Sequence, residues 1–290
     1  MKFSIVIPTY NRAIFIAELL QALSNQSITE FEVLVCDDGS TDNTREVVES
    51  FVNQLNIKYF FNENWGGPAY PRNVGIKNAT GEWVCFLDSD DLWYTNKLES
   101  VAKVISADID VIYHLFSTNT AKANTIGLYK VPVNRDLFED LLINGNKIVN
   151  SSLVIRKQLL LEIGGLSEDE KLIGVEDYDL TIRLARRGAK FYFLNQVLGQ
   201  YRINDTNISS DYVKQVKKVT YMLQQYEKDA KPKIQSQMKA LTSYLMGSYF
   251  IINKEFAQAR SCLSFAFKFG SLQVKFKSAV KIFITYFRTR

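Results

Sequence analysis

The chain has 290 residues, 47% of them hydrophobic and 13% aromatic, and a formal net charge of +4. A composition this apolar can bury a substantial core, which excludes a disordered or low-complexity protein, and no uncharged run of about 18 residues marks a membrane span. The three cysteines, Cys36, Cys85 and Cys262, lie in apolar runs without metal-ligand spacing, so reduced thiols of a cytoplasmic protein are expected; the N-terminus enters a strand with no signal-peptide pattern.

Phe3-Ser4-Ile5-Val6-Ile7-Pro8 reads as a buried strand entering the loop Thr9-Tyr10-Asn11-Arg12. Ile14, Ala17, Leu20 and Leu23 then recur at helical spacing. The run Glu32-Val33-Leu34-Val35-Cys36 predicts a second strand that ends in Asp37-Asp38-Gly39-Ser40. A helix over 41–51, a strand over 57–61, a helix over 71–79 and a strand over 82–87 follow. That last strand runs into Asp88-Ser89-Asp90-Asp91. Strands alternating with helices at these lengths imply a parallel sheet with right-handed crossovers, and ligands of such sheets lie at the carboxyl edge of the strands. Clustered carboxylates there raise one another's pKa unless a cation offsets them, and hard oxygen ligands suit Mg2+ or Mn2+. A solvated acidic turn that caps the next helix is the other reading.

The set Ile7-Pro8-Thr9-Tyr10-Asn11-Arg12, Asp37-Asp38-Gly39-Ser40-Thr41-Asp42, Arg72-Asn73-Val74-Gly75-Ile76, Gly81-Glu82 and Asp88-Ser89-Asp90-Asp91 resembles glycosyltransferase family 2 in order and spacing. Gly164-Gly165-Leu166-Ser167-Glu168 and Glu176-Asp177-Tyr178-Asp179-Leu180 resemble its acceptor-side segment, and the likeness runs over roughly residues 1–204. It implies an α/β GT-A fold, a Rossmann-like and mostly parallel sheet flanked by helices. It also implies a UDP-sugar held by Pro8, Tyr10, Asn11, Asp38, Arg72, Asp88 and Ser89. The chemistry agrees: a carboxylate accepts the uracil N3–H, tyrosine covers a flat base, and a guanidinium fork suits diphosphate oxygens. By the same resemblance Asp90, with Asp88, binds Mn2+ or Mg2+ against the diphosphate.

Gly174-Val175-Glu176-Asp177 precedes Leu180 and Leu184 at helical spacing, which puts the acidic pair at a helix N-terminus. Acids there stabilise the helix dipole without catalytic duty. The resemblance instead makes Asp177 the general base for the acceptor hydroxyl, with Glu176 beside it, and single displacement with inversion follows. Members of the family often carry histidine two residues after Tyr-Arg; this chain has Tyr201-Arg202-Ile203-Asn204. Arg202 keeps the reach to a diphosphate, whereas Asn204 is a weaker metal ligand than imidazole. The lone histidine, His114, falls in an apolar run and is expected to be a non-catalytic strand residue.

From Asp211 the strand signals stop and helices are predicted over 214–226, 234–252, 256–269 and 272–287, the middle pair resembling one tetratricopeptide-like hairpin. The domain reading is therefore a catalytic domain over 1–210, with a nucleotide-sugar half to 115 and an acceptor half from 116, followed by a helical extension over 211–290. Glu255 is the last acidic residue, and the seven cations after it are interleaved with aromatic residues. Residues 265–290 thus suit an anionic membrane surface, while no nucleic-acid module is recognisable.

The expected function is an inverting, metal-assisted hexosyl- or N-acetylhexosaminyl-transferase. It would act from a UDP-sugar on a glycan or lipid-linked saccharide in cell-surface polysaccharide synthesis, in the cytoplasm or peripherally on the inner face of the membrane. A sugar-phosphate nucleotidyltransferase and an inactive glycan-binding protein on the same fold are the alternatives. The first lacks a glycine- and basic-rich loop at the first strand, and retention of Asp88, Asp90 and Asp177 counts against the second.

Overall fold

A computed structural model of the chain describes residues 2–118, 136–202 and 212–287. Residues 2–118 and 147–202 belong to an α/β unit, and residues 136–146 and 212–287 to a helical unit.

The α/β unit is built on β1 (Phe3–Thr9), β2 (Phe31–Asp37), β3 (Ile57–Phe61), β4 (Trp83–Phe86), β5 (Leu92–Trp93), β6 (Val111–Thr118), β7 (Val154–Arg156) and β8 (Phe191–Tyr201). They pair in the order β3-β2-β1-β4-β7-β6-β8-β5. The β3-β2-β1-β4 half and the β6-β8 pair are parallel; β7 runs antiparallel to both β4 and β6, and β5 antiparallel to β8. Helices α1 (Ala13–Ser24), α2 (Thr44–Glu49), α3 (Ala69–Asn78) and α4 (Lys97–Ala102) connect the first strands; α5 (Leu137–Asn144) belongs to the helical unit, and α6 (Lys157–Glu162) and α7 (Glu176–Arg186) return to the sheet.

Every residue of β1 and β2 is buried, as continuous apolar runs require when helices cover both faces of a sheet. Ile16, Leu19, Leu20 and Leu23 of α1 pack into one core with Phe3, Ile5, Val33 and Trp83. On the amino-terminal edge of the sheet Glu32 accepts hydrogen bonds from Ser4 Oγ and from the N–H and Oγ of Thr80, and pairs with Lys58 Nζ. Burial acts to raise the pKa of this carboxyl, but those bonds outweigh it and hold it at about 2.

Gly75 marks how closely α3 lies on the sheet: a Cβ there would come within 2.5 Å of Val6 Cγ1 and 3.1 Å of Cys36 Sγ. Gly75→Ala is expected to cost about 1–3 kcal/mol through overpacking, seen as a lowered urea midpoint. A midpoint equal to wild type would show that α3 slides freely on the sheet.

β1, β2 and β4 are parallel neighbours, so the loops that follow Thr9, Asp37 and Phe86 emerge at one edge. Backbone bonds extend the ladder into these loops, from Asp38 N–H to Thr9 O (2.9 Å) and from Leu87 N–H to Val6 O (3.1 Å). His114 sits within β6, 1% exposed, and burial pushes its imidazole down to about 3, so the ring is neutral.

The helical unit contains α8 (Tyr212–Tyr226), α9 (Pro232–Ile252), α10 (Phe256–Phe269) and α11 (Leu272–Phe287). A three-residue link folds α10 back on α9, and Ser243 Oγ donates to Cys262 O across the pair. Helix α5 joins this unit rather than the acceptor half of the sheet domain, where its sequence position had put it. Its buried Leu141 and Leu142 face a helical partner, Phe138 meets Tyr226 edge-on at 6.3 Å, and Ser271 Oγ donates to Asn144 Oδ1.

Candidate active site

The first two loops are tied together by a residue the sequence had assigned to the nucleotide. Asn11 adopts φ +50°, a left-handed conformation that asparagine tolerates. Its carboxamide oxygen accepts from Thr41 N–H (2.7 Å) and Asp42 N–H (3.3 Å), and its own N–H donates to Ser40 Oγ (2.8 Å). Pro8 is a buried residue of β1, while Tyr10 is 47% exposed.

Asp38 is 5% exposed and accepts the backbone N–H groups of Trp65 (2.9 Å), Gly66 (3.0 Å) and Gly67 (3.2 Å). Burial pushes its pKa up, and the three N–H bonds oppose that shift. The carboxyl thereby fixes the loop in front of α3, on which the Trp65 ring stacks with Tyr70 at 6.5 Å.

After β4, Asp88 Oδ1 takes Nη2 of Arg72 (2.6 Å) and Nδ2 of Asn150 (2.9 Å). Ser151 Oγ accepts from Asp88 N–H (3.0 Å) and donates to Asp91 (2.5 Å). Ser89 is buried. Asp91 is fully enclosed, and burial together with the charges of Asp88 and Asp90 raises its carboxyl well above the usual range. Asp90 pairs with Arg12 at 2.6 Å. Arg202 reaches the same loop: its Nε donates to the Asp90 carbonyl, its Nη1 pairs with Glu18, and both arginines lie over Phe15, 5.5 Å and 5.0 Å from the ring centroid. Asn204 lies outside the described residues.

Among the described residues no group of three His, Cys, Asp or Glu side chains forms a ready metal cage. The donor chemistry nonetheless fits a hard cation. Asp88 and Asp90 offer carboxylate oxygens on one loop, the hard donor type such an ion takes.

On the other side of the site α7 begins with Glu176 and Asp177. Glu176 Oε1 pairs with Arg72 Nη1 at 2.7 Å and Oε2 accepts Gly174 N–H; Asp177 Oδ1 accepts Tyr178 N–H at 2.8 Å. Arg72, 3% exposed, therefore spans two carboxylates that stand 16 and 104 residues from it in the sequence. Burial and the adjacent Glu176 charge push Asp177 up to about 7, with Asp88 adding to the shift and Arg72 opposing it. The next residue of the same motif, Asn73, exchanges bonds with the backbone of Leu166 and donates to Glu168. Gly165 (φ +72°) makes room for it: a Cβ there would lie 2.4 Å from Asn73 Oδ1.

Arg12, Asn150 and Ser151 were missed by the sequence reading. Arg12 stood inside the first motif, but Asn150 and Ser151 lie in a polar stretch with no pattern of its own.

A family model described as Glycosyl transferase family 2 matches residues 4–152. The chain belongs to glycosyl transferase family 2. Poly(ribitol-phosphate) beta-N-acetylglucosaminyltransferase TarS of Staphylococcus aureus is 54% identical over 100 residues, 33% of this chain and 17% of TarS. The chain thus matches about a sixth of that relative's length. The Escherichia coli UDP-Glc:alpha-D-GlcNAc-diphosphoundecaprenol beta-1,3-glucosyltransferase WfgD is 29% identical over 220 residues, 74% of this chain and 82% of WfgD. Among solved structures, TarS 1–349 in complex with UDP-GlcNAc superposes with TM-score 0.63 at 24% identity, over 99% of this chain and 89% of that one. Mannosyltransferase PcManGT from Pyrobaculum calidifontis, in complex with GDP-Man and Mn2+, superposes with TM-score 0.66 at 19% identity, over 98% and 80%. At these identities the two structures show the shared GT-A fold of the family, and that is the α/β fold the motifs implied.

Proposed function

We propose that this family 2 member is an inverting glycosyltransferase that moves a sugar from a UDP-sugar to a hydroxyl of a glycan or lipid-linked saccharide in cell-surface polysaccharide synthesis. The observation that carries this reading is Arg72, which holds Asp88 of the donor-side motif and Glu176 of the acceptor-side motif on one guanidinium, next to an Asp177 poised near neutrality. A binding protein has no need of a buried ion pair that joins the two motifs beside a carboxyl whose pKa burial and a neighbouring acid raise. WfgD is named for transfer from UDP-Glc to a diphosphoundecaprenol-linked GlcNAc, which supports a UDP-hexose donor and a lipid-linked saccharide acceptor, and TarS, named for N-acetylglucosaminyl transfer, binds UDP-GlcNAc. Free Cys36, Cys85 and Cys262 support a reducing, cytoplasmic setting.

In this reading Tyr10, Trp65 and Asp38 hold the nucleoside, with Asp38 accepting from the base while its backbone partners keep it in place. Asp88 and Asp90 would hold Mn2+ or Mg2+, which supplies charge neutralisation for the departing diphosphate. Arg12 and Arg202, already beside Asp90, supply cationic groups for the same oxygens. Asp177 in its ionised form takes the acceptor hydroxyl proton as that oxygen attacks the anomeric carbon. The bond to UDP breaks on the opposite face, so the configuration inverts and no covalent enzyme intermediate forms. A panel of UDP-sugars assayed for transfer, with anomeric configuration read by NMR, tests the proposal: a retained configuration or hydrolysis without transfer would refute it.

A pH profile checks the base. Below about 7 Asp177 carries its proton and cannot accept another, so log kcat/KM is expected to rise with pH up to a midpoint near 7 and then level. A midpoint near the ordinary carboxylate value of about 4 would remove Asp177 from the role. For the metal, Asp90→Ala is expected to abolish the gain in UDP affinity that Mn2+ provides, measured by calorimetry. An unchanged gain would place the ion elsewhere.

A further inference from the structure

The last described helix, α11, is turned inside out. Its buried face carries Val274, Ser278 and Thr285, and Lys281 points inward as well, donating to Ser248 and lying 4.6 Å from the Tyr244 ring centroid. Its large apolar residues face solvent: Leu272 (76% exposed), Phe276 (74%), Val280, Phe283, Ile284 and Phe287. At about 100° per residue these six fall within an arc of about 120°, and Lys275 and Lys277 border that arc on opposite sides. On the adjoining α10, Arg260 lies 5.1 Å from the ring centroid of exposed Tyr286 of α11, which adds a cation beside the stripe. A soluble surface rarely carries so continuous an apolar stripe without an occupant.

The charge pattern selects the occupant. Neither α10 nor α11 contains an acidic residue, so the charges these two helices carry are all positive. A second copy docked stripe to stripe would oppose lysine with lysine, a repulsion with no acid to offset it. A bilayer rich in anionic headgroups meets both features at once: it takes the aromatic side chains into its interface and attracts the flanking cations. Spanning is excluded for the described helices, because none is long and apolar enough, and α11 at about 24 Å is shorter than the roughly 30 Å hydrocarbon core.

We propose that α11 lies in the plane of an anionic membrane surface, with the Leu272–Phe287 stripe buried at the headgroup boundary and Lys275 and Lys277 at the phosphates. This inference does not depend on the catalytic reading, since it concerns residues outside the site.

The test uses the full chain and sedimentation with extruded vesicles of phosphatidylcholine containing about 30% phosphatidylglycerol, against phosphatidylcholine alone. Wild type is expected to pellet with the anionic vesicles and to be released as salt is raised from about 0.1 to 0.5 M. Phe276→Ser/Phe283→Ser, at exposed positions that leave the fold intact, is expected to weaken binding at least tenfold. Lys275→Glu/Lys277→Glu, with the stripe untouched, is expected to lose the preference for anionic lipid. Wild type left in the supernatant of both vesicle types overturns the proposal. So does pelleting that both double variants share. A dimer in light scattering that Phe276→Ser/Phe283→Ser abolishes, with no vesicle binding by wild type, would assign the stripe to a second copy instead.

Discussion

Asp177→Asn is expected to lower kcat by about 10²–10⁴-fold, the usual contribution of a positioned base, and to leave the affinity for a UDP-sugar nearly unchanged. The substitution is informative because of what it preserves. Asp177 Oδ1 accepts the N–H of Tyr178, and the asparagine carboxamide oxygen can accept the same bond, so the first turn of α7 loses nothing. Only the capacity to take a proton disappears. Stability should move the other way from activity. A carboxyl raised in the folded state stabilises the fold below its unfolded pKa of about 4 and loses that contribution as pH rises through about 7. At pH 8 the variant should therefore melt no lower than wild type. Wild-type turnover by Asp177→Asn would leave Glu176 as the candidate base; a lower melting temperature with weakened donor binding would point to a structural part for Asp177.

Arg72→Met is expected to produce the largest loss of stability in the α/β unit. The guanidinium is buried between Asp88 and Glu176, whose charges raise its pKa further against the effect of burial. Removing one partner of a buried ion pair costs about 3–5 kcal/mol, because the remaining charges stay desolvated without compensation. In a domain of this size that corresponds to a fall in Tm of roughly 10 °C at pH 7. Arg72→Lys should recover only part of the loss, since one ammonium cannot reproduce a fork that meets two carboxylates at 2.6 Å and 2.7 Å. A Tm within a few degrees of wild type for Arg72→Met would show that the pair contributes little and that the two motifs are held together by packing.

Much of this molecule is written locally. The buried runs of β1, β2 and β4 and the helical periodicity of α1 and of the C-terminal helices lie within short windows, so residue order alone specified a parallel α/β half followed by helices. The end of a buried strand is where chain polarity must change, which is why Asp38 and the Asp88–Asp91 cluster were legible as acidic turns at the carboxyl edge of the sheet. The lone histidine was legible as a strand residue because it falls in an apolar run, and its burial was decided by packing. β5 and β7, of two and three residues, are too short to show a period, and only pairing with β8, β4 and β6 defines them.

Partnerships were decided by the tertiary structure. Arg72 and Glu176 are 104 residues apart, and with 31 acids and 35 basic side chains nothing in the sequence chooses that pair. Folding brings α3 and the start of α7 to the same edge, and desolvation then makes the choice, because a charge in that place is tolerable only when paired. The same holds for Asn11, whose oxygen is taken by the Thr41–Asp42 backbone, and for α5, whose apolar face found the C-terminal helices instead of the sheet. In α11 the sequence supplied aromatic residues and cations at helical spacing. Which side of that helix meets protein was settled by packing: Val274, Ser278 and Thr285 are buried and Lys281 reaches Ser248 and Tyr244 of α9, which leaves the phenylalanines outside.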